Sequence, residues 1–583
     1  MRQPIAVLIT LGVLTATGCH PTPAPTPAPT PTQTDARYSG TFAGGFRFPE
    51  AREAVFASRA MVSSNSELAS AAGVEILKAG GNAMDAAVAT GFALAVTYPF
   101  AGNIGGGGFM VIRMADGRTA ALDYREIAPL ASTRDMYVDS TGKLTNKSII
   151  GHLASGVPGA VAGMDAALQR FGTMSLAQVM APAIRLARDG FAVDSALVRA
   201  LTGAKARLCL FAGCATFFPG GEVTAPGERL VQPDLGRSLQ LIAERGPQAF
   251  YDGPISAALV SEMERGGGII TRQDLRQYEP KWRDPVISTY RGHTLITMPP
   301  ASSGGITMTE SFNILETFAP LPPFGSAEYV HLLAETFRRA FIDRNAKLAD
   351  ADFAPVPREE LTSKAYARAL ARQIDRNKAS KTPAFQQVPE PEHTTHYSVV
   401  DSAGNSVATT TTLNGGFGSA VWIPGGGFFM NNEMDDFAAQ PGTANMFGLV
   451  QGEANAVQAG KRMLSAMAPT IVLDPRGEVV LIIGAAGGPT IITATAQVIL
   501  NVIEHKMNLA DAMRAPRMHH QSLPDEIRLE SVGFSDATIA RLRAMGHGIT
   551  TTQGLANVNA VMRVPGGWHG VREPRSAGAA IGY

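Results

Sequence analysis

A chain of 583 residues with 45% hydrophobic and 17% charged residues can bury a large core, which excludes a globally disordered protein. Lys plus Arg and Asp plus Glu are both 50, and this zero net charge leaves no electrostatic footprint for nucleic acid or an anionic membrane surface.

At the start, Arg2, the apolar run from Ile5 to Val13, and Leu14-Thr15-Ala16-Thr17-Gly18-Cys19 read as an export signal. The run is too short for a transmembrane span. Small residues before Cys19 fit a bacterial lipobox, with Ala16 where Leu is more usual. An ordinary cleaved signal and a cytoplasmic chain with an apolar start are the alternatives. Residues 1–19 are assigned to signal and lipobox, with Cys19 as the lipidation site. Residues 20–46 are a Pro/Thr-rich linker, whose stretch from Pro21 to Pro31 predicts an extended, disordered tether. The folded body is then expected in the periplasm or otherwise outside the cytoplasm, touching a membrane only through a lipid anchor.

Folded sequence begins near Arg47. Ser64-x-x-Glu67 reads as a capping box, followed by Leu68, Ala71, Ala72 and Ile76 at helical spacing. An Ala-rich helix is predicted from Ala83 to Val96, stopping before Pro99. Gly105 to Gly108 is no phosphate loop, because the Lys-Ser/Thr that would reach phosphate and Mg²⁺ is missing. A hairpin follows, Phe109–Ile112 with Ala120–Tyr124 around Ala115-Asp116-Gly117. Gly159 to Asp375 reads as mostly helical, with one short strand at Thr294–Met298. Cys209 and Cys214 close a small loop; an exported setting favours a disulfide there, two unpaired thiols being the alternative.

The segment from Asn377 to His393 carries Lys378, Lys381, Pro383, Gln386, Gln387, Pro389 and Pro391 and no apolar period. It is expected to be exposed and mobile, a place where a chain can be nicked. Strands then return. Tyr397–Val400 and Val407–Leu413 form one hairpin; Ile471–Leu473 and Glu478–Ile483 form another, leading through Gly487-Gly488 into a helix from Pro489 to about His505. Strands near both ends with helices between predict an α+β layered fold whose sheets are shared by distant segments. His393 with His396, and His519 with His520, lack the acidic or third-ligand context of a metal site. No metal or organic cofactor is expected.

Thr394-Thr395-His396-Tyr397-Ser398 opens the first of these hairpins. A threonine before a strand is ordinary. If the bond before Thr394 is cut, however, one residue holds both a hydroxyl nucleophile and a free α-amine to take its proton. Together with Asp123-Tyr124-Arg125-Glu126, Asn431-Asn432-Glu433-Met434-Asp435-Asp436-Phe437 and Gly487-Gly488, this stretch resembles the γ-glutamyltranspeptidases, a family of N-terminal-nucleophile hydrolases. The resemblance runs in order from about Ala60 to the C-terminus. It implies a four-layer αββα sandwich formed jointly by two subunits cut from one precursor, a large one of 47–393 and a small one of 394–583, paired as a heterodimer.

Residue by residue, the resemblance makes Thr394 the nucleophile, first of self-cleavage after His393 and then of catalysis. Thr412 matches the threonine that orients it, although the run Thr409 to Thr412 also fits plain β-propensity. Gly487 and Gly488 match the oxyanion donors, Arg125 the carboxylate clamp, and Asn414, Glu433 and Asp436 the ammonium ligands. Gly105 to Gly108 matches a packing and pocket-wall element. The implied donors are glutathione and other γ-glutamyl compounds, and the acceptors water, amino acids or dipeptides. Two serines usually hold the α-carboxylate, but here Ser465 is followed by Ala466. The missing hydroxyl is worth about 1.5–3 kcal/mol toward a charged group, so a glutaryl or cephalosporin acylase-like activity is the enzyme alternative. A catalytically silent lipoprotein using the fold for binding is the alternative from another class. Pro441 to Gly452 resembles a lid loop, with Phe447 at a position often held by Tyr.

Overall fold

Segments from both ends of the chain meet in two seven-stranded sheets in the computed structural model, which describes Met1, 53–382 and 392–583. With strands numbered in chain order, the first sheet runs β1 (Val55–Ala57), β13 (Gly567–Val571), β12 (Asn557–Val564), β11 (Val479–Ala486), β10 (Thr470–Leu473), β7 (His293–Thr297) and β6 (Val286–Tyr290). The second runs β14 (Ala579–Gly582), β2 (Met61–Ser64), β8 (Glu392–Val400), β9 (Ser406–Gly415), β3 (Gly107–Arg113), β4 (Thr119–Tyr124) and β5 (Lys281–Arg283). Every pairing in both is antiparallel.

The sheets lie face to face, β8 against β11 and β12. Helices α1 (Glu67–Lys78), α2 (Ala83–Thr97) and α3 (Ala160–Phe171) cover the second sheet. On the other side, α4 (Gly304–Glu316) and α6 (Thr490–Ile503) cover the first, with α5 (Ala327–Lys347) packed on α4. This is the four-layer αββα sandwich that the resemblance implies. Each sheet is covered on both faces, so β9 is buried along its whole length and shows no alternation. Two of its buried threonines are bonded: Thr411 Oγ1 donates to Gly107 O at 2.9 Å, and Thr410 Oγ1 meets His396 Nδ1 at 2.8 Å. Burial pushes His396 down to about 3, so it stays a neutral, hydrogen-bonded core residue.

Helix α2 is buried on every side, since it lies between α1 and the sheet, and it starts on a capping box of Asn82 and Asp85. Helix α1 corrects the sequence reading. Its cap is Ser66, which accepts the N–H of Ala69, while Ser64 belongs to β2 and pairs with Ala579. The glycine cluster acts through close approach: a Cβ on Gly106 would lie 2.1 Å from Thr412 O, and one on Gly108 2.4 Å from Thr410 O. Strand β6 was not foreseen. It forms a hairpin with β7 around Arg291 and Gly292, both at positive φ, inside a region read as helical.

Cys209 and Cys214 form the disulfide. Asn377–Thr382, expected to be mobile, is pinned instead. Ala379 N donates to Met545 O, Ser380 Oγ to Glu335, Lys381 Nζ to Gly546 O, and Thr382 N to Asp525. The rest of that segment through Pro391, the signal, Cys19 and the linker lie outside the described residues, as does the side chain of His393.

Candidate active site

The β8–β9 register sets Thr394 directly opposite Thr412, which brings their Oγ1 atoms to 3.2 Å. Between Glu392 and Thr394 the register of the pairing shifts, an irregularity directly ahead of Thr394. Thr412 Oγ1 accepts the Asn414 N–H at 2.8 Å, which holds that hydroxyl in place beside Thr394. Asn414 itself adopts φ 75°, a conformation asparagine tolerates better than most residues, and its Nδ2 donates to Asn432 O at 3.1 Å. Thr394 is buried with 7% exposure, at the wall of a narrow cleft.

Strand β11 ends at Ala486, and Gly487 and Gly488 turn the chain into α6 at φ 134° and φ 51°. Pro489 is the cap of that helix, which begins at Thr490, one position later than the predicted start at Pro489. Gly487 O accepts from Thr490 N at 3.0 Å and from Thr490 Oγ1 at 2.5 Å. Since a trans peptide points its N–H opposite to its C=O, the Gly488 N–H faces away from the helix. Gly488 lines the same cleft as Thr394. A backbone donor at the mouth of a helix is suited to an oxyanion.

The charged side of the cleft is built around Arg125, which is fully buried. Its Nη1 lies 2.6 Å from Glu433 Oε2 and 3.8 Å from Glu126 Oε2, its Nη2 binds Asp436 Oδ2, and its Nε donates to Met463 O. Burial pushes all three carboxyls up against the pull of Arg125, Glu126 to about 8. Arg125, Asn414, Asp436 and Ser465 all line the cleft. Glu433 does not: it stands behind Arg125 as a structural partner rather than on the wall. The Gly105–Gly108 cluster is likewise packing only, absent from the lining. Ser465 Oγ accepts the Met467 N–H at 3.0 Å, and Ala466 presents a methyl to the cleft. The lid-like loop contributes Phe447 and Leu449, with Phe447 O fixed by Gln521 Nε2 and Met446 N by Asp435.

Two residues escaped the sequence reading of the site. Glu126, in the same motif as Arg125, carries no role in the resemblance, yet it stands beside Arg125 Nη1. Arg344, from α5, lines the cleft beside Thr394 and was not singled out at all. A signal existed: Phe337, Phe341 and Arg344 follow helical spacing, and all three are buried, so a cation occupies an apolar stripe.

With this geometry in hand, similarity to known proteins is informative. The family model described as gamma-glutamyltranspeptidase matches residues 69–583. The chain is 46% identical over 531 residues to a glutathione hydrolase proenzyme of Escherichia coli (strain K12), covering 90% of this chain and 91% of that one. It is 40% identical over 520 residues to an Acylase ACY 1 proenzyme of Pseudomonas sp. (strain SE83), covering 88% and 91%. Among solved structures, a cephalosporin acylase from Bacillus halodurans superposes with a TM-score of 0.82 at 28% identity, covering 92% of this chain and 98% of that one.

Proposed function

The chain belongs to the γ-glutamyltranspeptidase family, and on that premise we propose that Thr394 is its nucleophile, freed as an N-terminal residue by a cut after His393. The protein is a glutathione hydrolase and γ-glutamyltransferase, made as a proenzyme and working as two chains. The observation that carries the nucleophile assignment is the Thr394–Thr412 hydroxyl pair at 3.2 Å, opening on a cleft that also holds Gly488 and the Arg125–Asp436 pair.

In the proenzyme, Thr394 Oγ1 attacks the carbonyl carbon of His393, the amide shifts to an ester, and water hydrolyses it. The cut leaves 47–393 and 394–583 as the large and small subunits and liberates the Thr394 α-amine. In each turnover Thr394 Oγ1 then attacks the donor's γ-carbonyl carbon while its own amine takes the hydroxyl proton. The oxyanion develops against the Gly487–Gly488 turn. Collapse expels the leaving amine, which receives the stored proton, and leaves a γ-glutamyl ester on Thr394. Water, an amino acid or a short peptide accepts the acyl group and returns the proton. Asp436 and Asn414 meet the donor's α-ammonium, and Arg125 and Ser465 its α-carboxylate side.

The donor class is checked with anilides on the processed enzyme. γ-Glutamyl anilide is expected to be cleaved with kcat/KM at least about tenfold above glutaryl anilide, since Asp436 offers a charge-assisted bond that only the ammonium-bearing donor takes up. Equal or reversed rates place the enzyme with the acylases. Lipidation at Cys19 is proposed on its lipobox-like context, holding the body outside the cytoplasm through the 20–46 tether. Cys19→Ser is then expected to move the enzyme from the membrane to the soluble fraction, and unchanged fractionation contradicts the anchor.

A further inference from the structure

Arg344 is a buried cation in the cleft with no carboxylate in ion-pair contact among the described residues. It is 1% exposed and lines the cleft together with Thr394 and Ala466. Its Nε donates to Ser303 Oγ at 3.1 Å and its Nη1 to Asn345 Oδ1 at 2.9 Å. Both partners are neutral, and among the described residues no carboxylate oxygen lies within ion-pair distance of it; Asp436, which is in contact with Arg125, attracts it only from farther off. Arg125 is the opposite case, with Glu433 and Asp436 on its two terminal nitrogens. Burial lowers Arg344 to about 10, so the group is still charged at neutral pH. A buried charge with no contact partner is costly, and a bound anion offsets that cost.

Its position says which anion. Ser303 Oγ, the acceptor for Arg344, donates in turn to Ser465 O at 2.5 Å, and Ser303 N donates to the same oxygen at 2.8 Å. Ser302 Oγ donates to Met467 O at 2.5 Å. Arg344 is thereby tied to the segment 465–467, where Ala466 leaves a hydroxyl missing. Asp436, still 12% exposed at its side chain, stays available to an ammonium while it holds Arg125.

We propose that Arg344 binds the α-carboxylate of the γ-glutamyl donor and supplies from α5 the charged hydrogen bonds that Ala466 cannot make. The assignment rests on the γ-glutamyl reading above. Carboxylate recognition is then shared between Arg125, already in contact with Glu433 and Asp436, and Arg344, which has no carboxylate in contact, the second providing most of the net attraction.

The test is steady-state kinetics of processed Arg344→Gln on three anilides. γ-Glutamyl anilide carries both α-groups, 4-aminobutyryl anilide lacks the carboxylate, and glutaryl anilide lacks the ammonium. Losing charged hydrogen bonds raises KM about 10- to 100-fold for the γ-glutamyl and glutaryl donors. kcat for these two stays within about threefold, KM for the 4-aminobutyryl donor does not move, and Arg344→Lys recovers part of the loss. Equal losses on all three donors, or no loss on the carboxylate-bearing two, overturn the proposal. Ala466→Ser gives a second reading should Arg344→Gln stay uncut. With the carboxylate already served, the added hydroxyl changes KM for γ-glutamyl anilide by less than about threefold, whereas a fall of about tenfold or more shows it unserved and overturns the assignment. If wild type cleaves glutaryl but not γ-glutamyl anilide, the γ-glutamyl reading fails, and the glutaryl anilide response of the same variants still judges Arg344.

Discussion

Thr394→Ala is expected to leave the chain uncut, one band where wild type gives two, with hydrolysis of γ-glutamyl anilide at background. The loss is large because one side chain serves twice, in the cut and in turnover. Removing a nucleophile that acts as a unit with its base costs roughly four or more orders of magnitude in rate. Misfolding is not the expected cause. The substitution keeps the β8 backbone and gives up one hydroxyl contact, to Thr412, worth about 1 kcal/mol. Nor can the neighbour step in: side chains alternate along a strand, and Thr395 Oγ1 points elsewhere, to Asn65 Oδ1 at 3.1 Å. Thr394→Ser retains an attacking hydroxyl and is expected to be cut, more slowly. A gel of the three proteins, with activity on the same samples, decides the matter; two bands from Thr394→Ala would remove the threonine from the cut.

Gly487→Ala is expected to lower kcat by about 10²–10³-fold while KM stays within about threefold, the usual consequence of losing one oxyanion donor. At φ 134° an L-residue is strained whatever space surrounds it, so the peptide joining 487 to 488 must rotate. Rotation breaks the Gly487 O bonds to Thr490 and swings the Gly488 N–H off the cleft. Active-site titration of the processed fraction separates a slow enzyme from a small amount of normal enzyme. Unchanged kcat would mean that the oxyanion is served from elsewhere.

What could be read in advance follows physical lines. Thr394, Thr412 and Gly487-Gly488 sit in locally ordered motifs, and the β8–β9 hairpin fixes its register through a short turn, so the sequence places the pair opposite each other. Ser64 and Ser66 are both competent caps two residues apart, and the choice between them is made by the pairing of Ser64 with Ala579 at the far end of the chain. Glu433 could be matched to an ammonium ligand by motif, but whether it faces the cleft or Arg125 depends on tertiary packing. Lys378, Lys381 and the prolines suggested a free segment, while Glu335, Asp525 and Met545, which pin its first part, come from distant elements. Arg344 stayed hidden for the same reason. Its meaning depends on Ala466, a residue reached through Ser303 and Ser465 and remote in sequence.

The central claim is that Thr394 becomes a chain terminus. N-terminal sequencing of the smaller band of purified wild-type enzyme addresses it most directly. The account predicts Thr-Thr-His-Tyr-Ser as the first five residues, beginning at Thr394. A single full-length band, or a small chain that begins anywhere else, would contradict it.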